Sequence, residues 1–556
     1  MWRILTVLFI LLAAPLRAET QAVGGSRPET SLMDEAFLAA QAGFASSAGA
    51  ALRQIGLRAA AGTGPLADLV RERQALAARL QAAEQALTAP EADRVELAGL
   101  ADGLGAEIAA LDARIATDFP RFDELTQPKP LSIAEVQALL RPDEALVLTW
   151  VGESYAFVWA ISPTRAGWHR INAGRTTLDA PVEALRASID QAYVTTRAAA
   201  PLGDAPADSG RGFARGVAAQ LYDVLLRPLA PVIGPQAHLF VVADGPLTSL
   251  PFALLVTAAP TGANDDPQAL RDTDWLIRRH ALTTLPSVEG LRIVRNMPPP
   301  PERTAAFLGF GDPEFAPPDL APPGAAAGEV AEPPMTLASA TRGGVMRGGL
   351  ADVDRLRALA PLPQTRRELE LIARTLGADR SLLHLGRAAS ETMVRRADLR
   401  AAPVIAFATH GLLSGDLQGL DEPALVLTPP DEPTPFDDGL LTASEIIDLP
   451  LDADWVVLSA CNTAGGDRPG AAGLSGLARA FLFAGARSIL VSHWPVRDDA
   501  AARLTTGTFA HLAGGTARGR ADALRRAMLD LMADRRDPTL AHPAAWAPFV
   551  LVGEGG

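Results

Sequence analysis

Apolar positions are densest between Pro403 and His493, where three short runs stand out, at residues 404–409, 455–460 and 488–492. Nearly unbroken apolar runs of this length, bounded by turn residues, predict strands buried on both faces of a parallel sheet. Upstream, Ala- and Leu-rich stretches predict helices over 33–61, 66–87 and 95–118, the second stopped by Pro90. From Pro128 the pattern changes to alternation. Strands are expected at 144–150, 155–161, 168–171, 238–243, 305–310 and 381–385, with a terminal one at 546–552. Helices are expected between them, at 178–193, 213–229, 364–376, 390–397, 474–484, 500–512 and 521–532. Strands alternating with helices over some three hundred residues predict an α/β fold with a mostly parallel sheet and flanking helices, preceded by an α-helical segment. Residues 312–349 are rich in Pro, Ala and Gly, lack any period, and read as a surface insertion. Its Arg342 and Arg347 make it a candidate for activating proteolysis.

At 556 residues the chain exceeds one hydrophobic core. The expected division is a signal peptide at 1–18, a helical segment at 19–127, an α/β lead-in at 128–210 and a main α/β domain at 211–556. A hydrophobic fraction of 48% and a positive mean hydropathy indicate a globular chain. The net charge of −14 argues against a nucleic-acid binder, which would present a basic face. Lys129 is the single lysine, so no Gly-Lys-Ser/Thr phosphate loop exists. Arg3, the apolar stretch 4–14 and Leu16-Arg17-Ala18 before Glu19 form a secretory signal pattern, predicting an exported, periplasmic or secreted protein. The apolar stretch is short for a membrane anchor, and no stable span is expected.

The chemistry collects at strand ends. Run 404–409 leads into His410-Gly411, and run 455–460 into Cys461-Asn462-Thr463 and then Ala464-Gly465-Gly466. In open parallel sheets functional groups gather beyond the strands' C-terminal ends, and a thiol nucleophile needs a nearby general base. Cys461 is the only cysteine, so it forms no internal disulfide. A lone cysteine is most often a small buried hydrophobe, but its strand-end position opposite a His-Gly makes it a candidate nucleophile. Of eight histidines, only His410 and His493 terminate strands of this group, and His493 is the rival base. It precedes Trp494-Pro495, which reads as a packing corner. Gly411 lets a backbone N–H approach a reacting carbonyl, so the Gly411 and Cys461 amides are the expected oxyanion donors. No side chain stands out as an orienter of His410, leaving that role to a backbone carbonyl. There is no Gly-x-Ser-x-Gly elbow and no His-Glu-x-x-His or other zinc spacing. No metal and no organic cofactor are expected.

At these residues the chain resembles the CHAT domain, a caspase-like cysteine peptidase domain related to separase and often attached to tetratricopeptide repeats. The resemblance rests on Phe407-Ala408-Thr409-His410-Gly411, Glu422-Pro423-Ala424-Leu425, Asp438-Gly439-Leu440-Leu441-Thr442-Ala443-Ser444-Glu445 and Leu458-Ser459-Ala460-Cys461-Asn462-Thr463. Ser492-His493-Trp494-Pro495-Val496 and His542-Pro543-Ala544-Ala545-Trp546 add to it, over roughly 211–553. It implies a caspase-like three-layer α/β sandwich, with His410 as base and Cys461 as nucleophile of an endopeptidase acting through a thioester. It also implies protein or peptide substrates, and a regulatory protein partner on the N-terminal helices. Trp494 and Asp498, after the third strand, are the implied pocket residues, an acidic Asp498 suiting a basic P1 side chain. Against that, Asp498 and Asp499 equally suit helix capping. The rival function is a non-catalytic scaffold or signalling module that keeps the fold without turnover.

Overall fold

The computed structural model describes residues 29–42, single positions between 69 and 83, and residues 94–118, 130–198, 212–297, 303–315, 346–347, 350–412, 420, 422–459 and 476–556. The signal pattern, most of the expected helices 33–61 and 66–87, most of the 312–349 insertion and Cys461 lie outside these residues.

Eleven strands form one sheet. In chain order they are β1 (Glu144–Val151), β2 (Ala156–Ile161), β3 (Ala166–Ile171), β4 (His238–Val242), β5 (Ala281–Thr284), β6 (Phe307–Gly311) and β7 (Ser381–Leu385). β8 (Val404–Ala408), β12 (Trp455–Ser459), β13 (Ser488–Ser492) and β14 (Phe549–Gly553) complete it. Across the sheet the order is β3-β2-β1-β4-β5-β14-β13-β12-β8-β6-β7. β1, β4 and β5 are parallel, as are β13, β12, β8, β6 and β7, while β14 runs antiparallel to β13. β9 (His410–Leu412), β10 (Ala424–Val426) and β11 (Leu440–Thr442) make a separate antiparallel sheet.

The central strands are apolar at nearly every position because both sheet faces are covered. On β12, Trp455 and Val457 face one core, Val456 and Leu458 the other; on β8, Ala406 and Ala408 oppose Ile405 and Phe407. The first core is roofed by α4 (Arg175–Ala198), α5 (Arg215–Leu225), α6 (Gln364–Leu376), α10 (Asp498–Ala513) and α11 (Arg520–Ala533). The second is roofed by α1 (Glu29–Ala42), α3 (Ile133–Leu139), α7 (Glu391–Arg396), α8 (Ala443–Ile447) and α9 (Gly476–Ala484). The result is the expected three-layer α/β sandwich.

Two features tie the N-terminal third of the chain to this body. The lead-in strands β1–β3 share the sheet of the main domain, because β1 pairs in parallel with β4. The first helix docks on the same body: Phe37 is fully buried 6.1 Å from the Trp159 ring, and Gln41 exchanges two hydrogen bonds with the backbone of Leu131. Between them, α2 (Arg94–Asp118) has its own small core. Its Leu104 and Leu111 are seven residues apart and meet Leu69 and Leu76, also seven apart. That spacing keeps one apolar seam on each segment facing the other, and Arg73 pairs with Asp112 beside it. No helix among the described residues is long and apolar enough to cross a membrane.

Candidate active site

β8 and β12 are parallel neighbours, with Ala408 paired to Ser459. Adjacent strands lie about 4.8 Å apart, so the chain leaves the sheet side by side at these residues. His410 is two residues beyond one of them and Cys461 two beyond the other. Cys461 itself and its glycine-rich neighbours lie outside the described residues.

Beyond β8 the chain does not simply end in a loop. Thr409 donates its hydroxyl to the Val426 carbonyl, and His410 opens β9, paired with Val426, while Gly411 pairs with Leu425. His410 is therefore buried at the join between two sheets. Its Nε2 lies 2.8 Å from the Ala360 carbonyl oxygen. A carbonyl only accepts, so Nε2 carries the hydrogen and Nδ1 is the basic nitrogen of the neutral ring. The Ala360 carbonyl is thus a backbone group that orients the imidazole. Phe315, its ring 5.3 Å from the imidazole, packs against it.

The small sheet that holds His410 is built by the 438–445 motif. Gly439 has φ +93°, and a Cβ there would come within 3.0 Å of the Pro429 Cα, so only glycine fits without strain. Thr442 and Glu445 form a reciprocal capping box that starts α8 directly after β11. Glu391 is buried and accepts the Asp438 and Gly439 N–H groups at 2.8 and 2.7 Å. Burial, with the charge of Glu445 next, pushes its carboxyl up to about 8.

A second buried carboxyl stands behind the strand that leads to Cys461. Glu368 of α6 accepts from Ser459 Oγ at 3.1 Å and from Thr505 Oγ1 at 2.6 Å. Burial pushes it up to about 7, the two hydroxyls pulling the other way. Neither glutamate was among the expected site residues. The signal was present in α6, where Thr365, Glu368, Leu369 and Ile372 form one buried helical stripe that carries a carboxylate.

His493 sits past β13 and is fully enclosed. Burial and the Arg186 guanidinium push it down to about 3, and its Nδ1 has no hydrogen-bond partner among the described residues. A ring held neutral this strongly is a poor proton acceptor, whereas its backbone carbonyl accepts from Arg186 at 2.8 Å. Trp494 is buried, its Nε1 donating to the Ala544 carbonyl. Asp498 is the first residue of α10, and its carboxylate accepts the Gln364 N–H at 2.9 Å, tying the start of α6 to the start of α10. Asp499 instead pairs with Arg497. Among the described residues no cluster of three His, Cys, Asp or Glu side chains could hold a metal.

Residues 215–554 match the family model of the CHAT domain. Mouse tetratricopeptide repeat protein 28 is 27% identical over 381 residues, 60% of this chain but 13% of that protein. The chain therefore spans a small part of the relative it matches. Among solved structures, the Saccharomyces cerevisiae separase–securin complex aligns with a TM-score of 0.37 at 10% identity, covering 75% of this chain and 30% of that one. The Arg-specific cysteine proteinase gingipain R aligns at 0.32 and 10% identity, over 61% and 66%. With the family match running from the start of α5 through β14, and so over more than half of its length, the chain belongs to the CHAT domain family.

Proposed function

We propose that the protein is a caspase-like cysteine endopeptidase with a His410/Cys461 dyad. The observation that carries this reading is the Ala408–Ser459 register, in which the strand that precedes His410 and the strand that precedes Cys461 end side by side. His410, with Nε2–H committed to Ala360, presents Nδ1 as the base. It takes the thiol proton, and the thiolate attacks the scissile carbonyl. The oxyanion is met by the Gly411 and Cys461 amides. Collapse of the tetrahedral species expels the amine, protonated by the imidazolium, and water hydrolyses the remaining thioester. Asp498, beside Trp494 past the third strand, gives the reading a preference for a basic P1 residue. Substrates are proteins or peptides, a regulatory partner engages the N-terminal helices, and the signal pattern puts the protein outside the cytoplasm.

The test is labelling by peptidyl acyloxymethyl ketones carrying Arg, Leu or Asp at P1. The wild type should label fastest with Arg. Cys461→Ala should not label, and His410→Ala should label about 10²–10⁴-fold more slowly, the range for a lost general base. Asp498→Asn should lose the Arg preference while still labelling. A folded wild type that no warhead labels would overturn the reading in favour of a non-catalytic scaffold.

A further inference from the structure

At the opposite end of the strands, where β1 and β4 begin, lies an open cavity of about 230 Å³. It lies far along the strands from His410, which follows the C-terminal end of β8. We propose that this cavity binds a small, multiply charged oxyanion of the phosphate type.

Five guanidiniums line it, from Arg141, Arg279, Arg518, Arg525 and Arg526, in a chain whose net charge is −14. Three carboxylates share the lining. Glu144 is buried and shared between Arg295, which lies outside the cavity, and Arg141, 3.8 Å away. Asp143 pairs with Arg518 at 3.0 Å, and Asp522 with Arg526 at 3.0 Å and Arg525 at 3.3 Å. Arg279 makes no side-chain hydrogen bond or ion pair among the described residues. Even if a free carboxylate stands at Gly556, whose carbonyl oxygen Arg141 already contacts, guanidiniums outnumber the carboxylates left to pair with them. Such a surplus makes the cavity electropositive, and planar guanidinium forks match phosphate oxygens two at a time.

Backbone geometry adds to the case. The cavity also receives the N-terminus of α11, where the Ala521 N–H donates to the Gly555 carbonyl at 3.0 Å and Asp522 lies in the first turn, so the positive end of the helix dipole points toward the cavity but is partly offset. A Cβ on Gly519 would come within 2.8 Å of the Gly556 Cα, and one on Gly555 within 2.8 Å of the His238 ring. Neither glycine therefore has room for a side chain, which keeps this part of the cavity wall free of one. At about 230 Å³ the space falls below the ~300–1,000 Å³ of sites for drug-sized ligands, which points to an occupant the size of phosphate or diphosphate.

Calorimetric titration of the full chain with inorganic phosphate and with pyrophosphate tests this. Saturable one-site binding is expected. It should weaken at least tenfold in Arg279→Ala and in Arg518→Ala, both surface positions, and remain unchanged in Arg374→Ala on α6. Pyrophosphate binding at least tenfold tighter than phosphate identifies a diphosphate-bearing ligand; equal affinities identify free phosphate. No saturable heat with either anion, or wild-type affinity in Arg279→Ala and Arg518→Ala, would overturn the proposal. Titrating Cys461→Ala, which should bind like wild type, keeps the outcome separate from that of the peptidase reading.

Discussion

Replacing Glu368 with Gln isolates the cost of burying a carboxyl behind the strand that leads to Cys461. Glu368 ionises near 4.5 when unfolded and at about 7 when folded, because burial opposes its charge. Between those values the folded state holds a proton that the unfolded state has released. Stability therefore falls as pH rises through this window. Raising the carboxyl from 4.5 to about 7 makes the full cost above pH 7 about 3 kcal/mol, at ~1.4 kcal/mol for each tenfold change in proton affinity. Glutamine has the same shape and no charge to bury. Its amide NH₂ meets one hydroxyl as a donor, and Thr505 Oγ1 can turn to donate to the Ala501 carbonyl, 3.1 Å away. The variant should match the wild type below about pH 4 and exceed it by about 3 kcal/mol at pH 8–9. Urea unfolding followed by tryptophan fluorescence at several pH values measures the gap. A gap that stays constant with pH would refute the argument, since every other titrating group is common to both proteins.

Two further substitutions probe how the fold supports the site. Phe37→Ala should cost about 3–5 kcal/mol, the range for emptying a large buried aromatic site, and should raise hydrogen exchange across α1 first; unchanged protection there would show that the helix is not held by this contact. Gly439→Ala should cost about 1–3 kcal/mol, because φ +93° and the 3.0 Å approach to Pro429 both oppose a Cβ. A wild-type urea midpoint would refute it.

The three-layer architecture was legible because strands covered on both faces leave nearly unbroken apolar runs. The runs at 404–409, 455–460 and 488–492 became β8, β12 and β13 with boundaries within a residue or two. Helix 364–376 and strand 381–385 were placed to the residue. The terminal strand was expected to begin at 546 but starts at Phe549, because Pro543–Trp546 forms a helical turn that buries Trp546. The expected strand at 404–409 likewise stops at Ala408, as Thr409 turns to bond Val426 and the next residues pair with a different sheet.

Local pattern therefore determined which segments are strands, which are helices, and that His410 follows a buried strand. Tertiary structure alone decided which strands are neighbours, because strand order depends on long-range pairing that no local periodicity encodes. The Ala408–Ser459 register, the docking of α1, the Ala360 carbonyl at Nε2 of His410 and the burial of Glu368 and Glu391 are of this kind. So is the arginine cavity, which gathers residues between Arg141 and Gly556 onto one end of the sheet. Each joins residues tens to hundreds of positions apart, where contact is set by the packing of whole layers rather than by neighbouring residues.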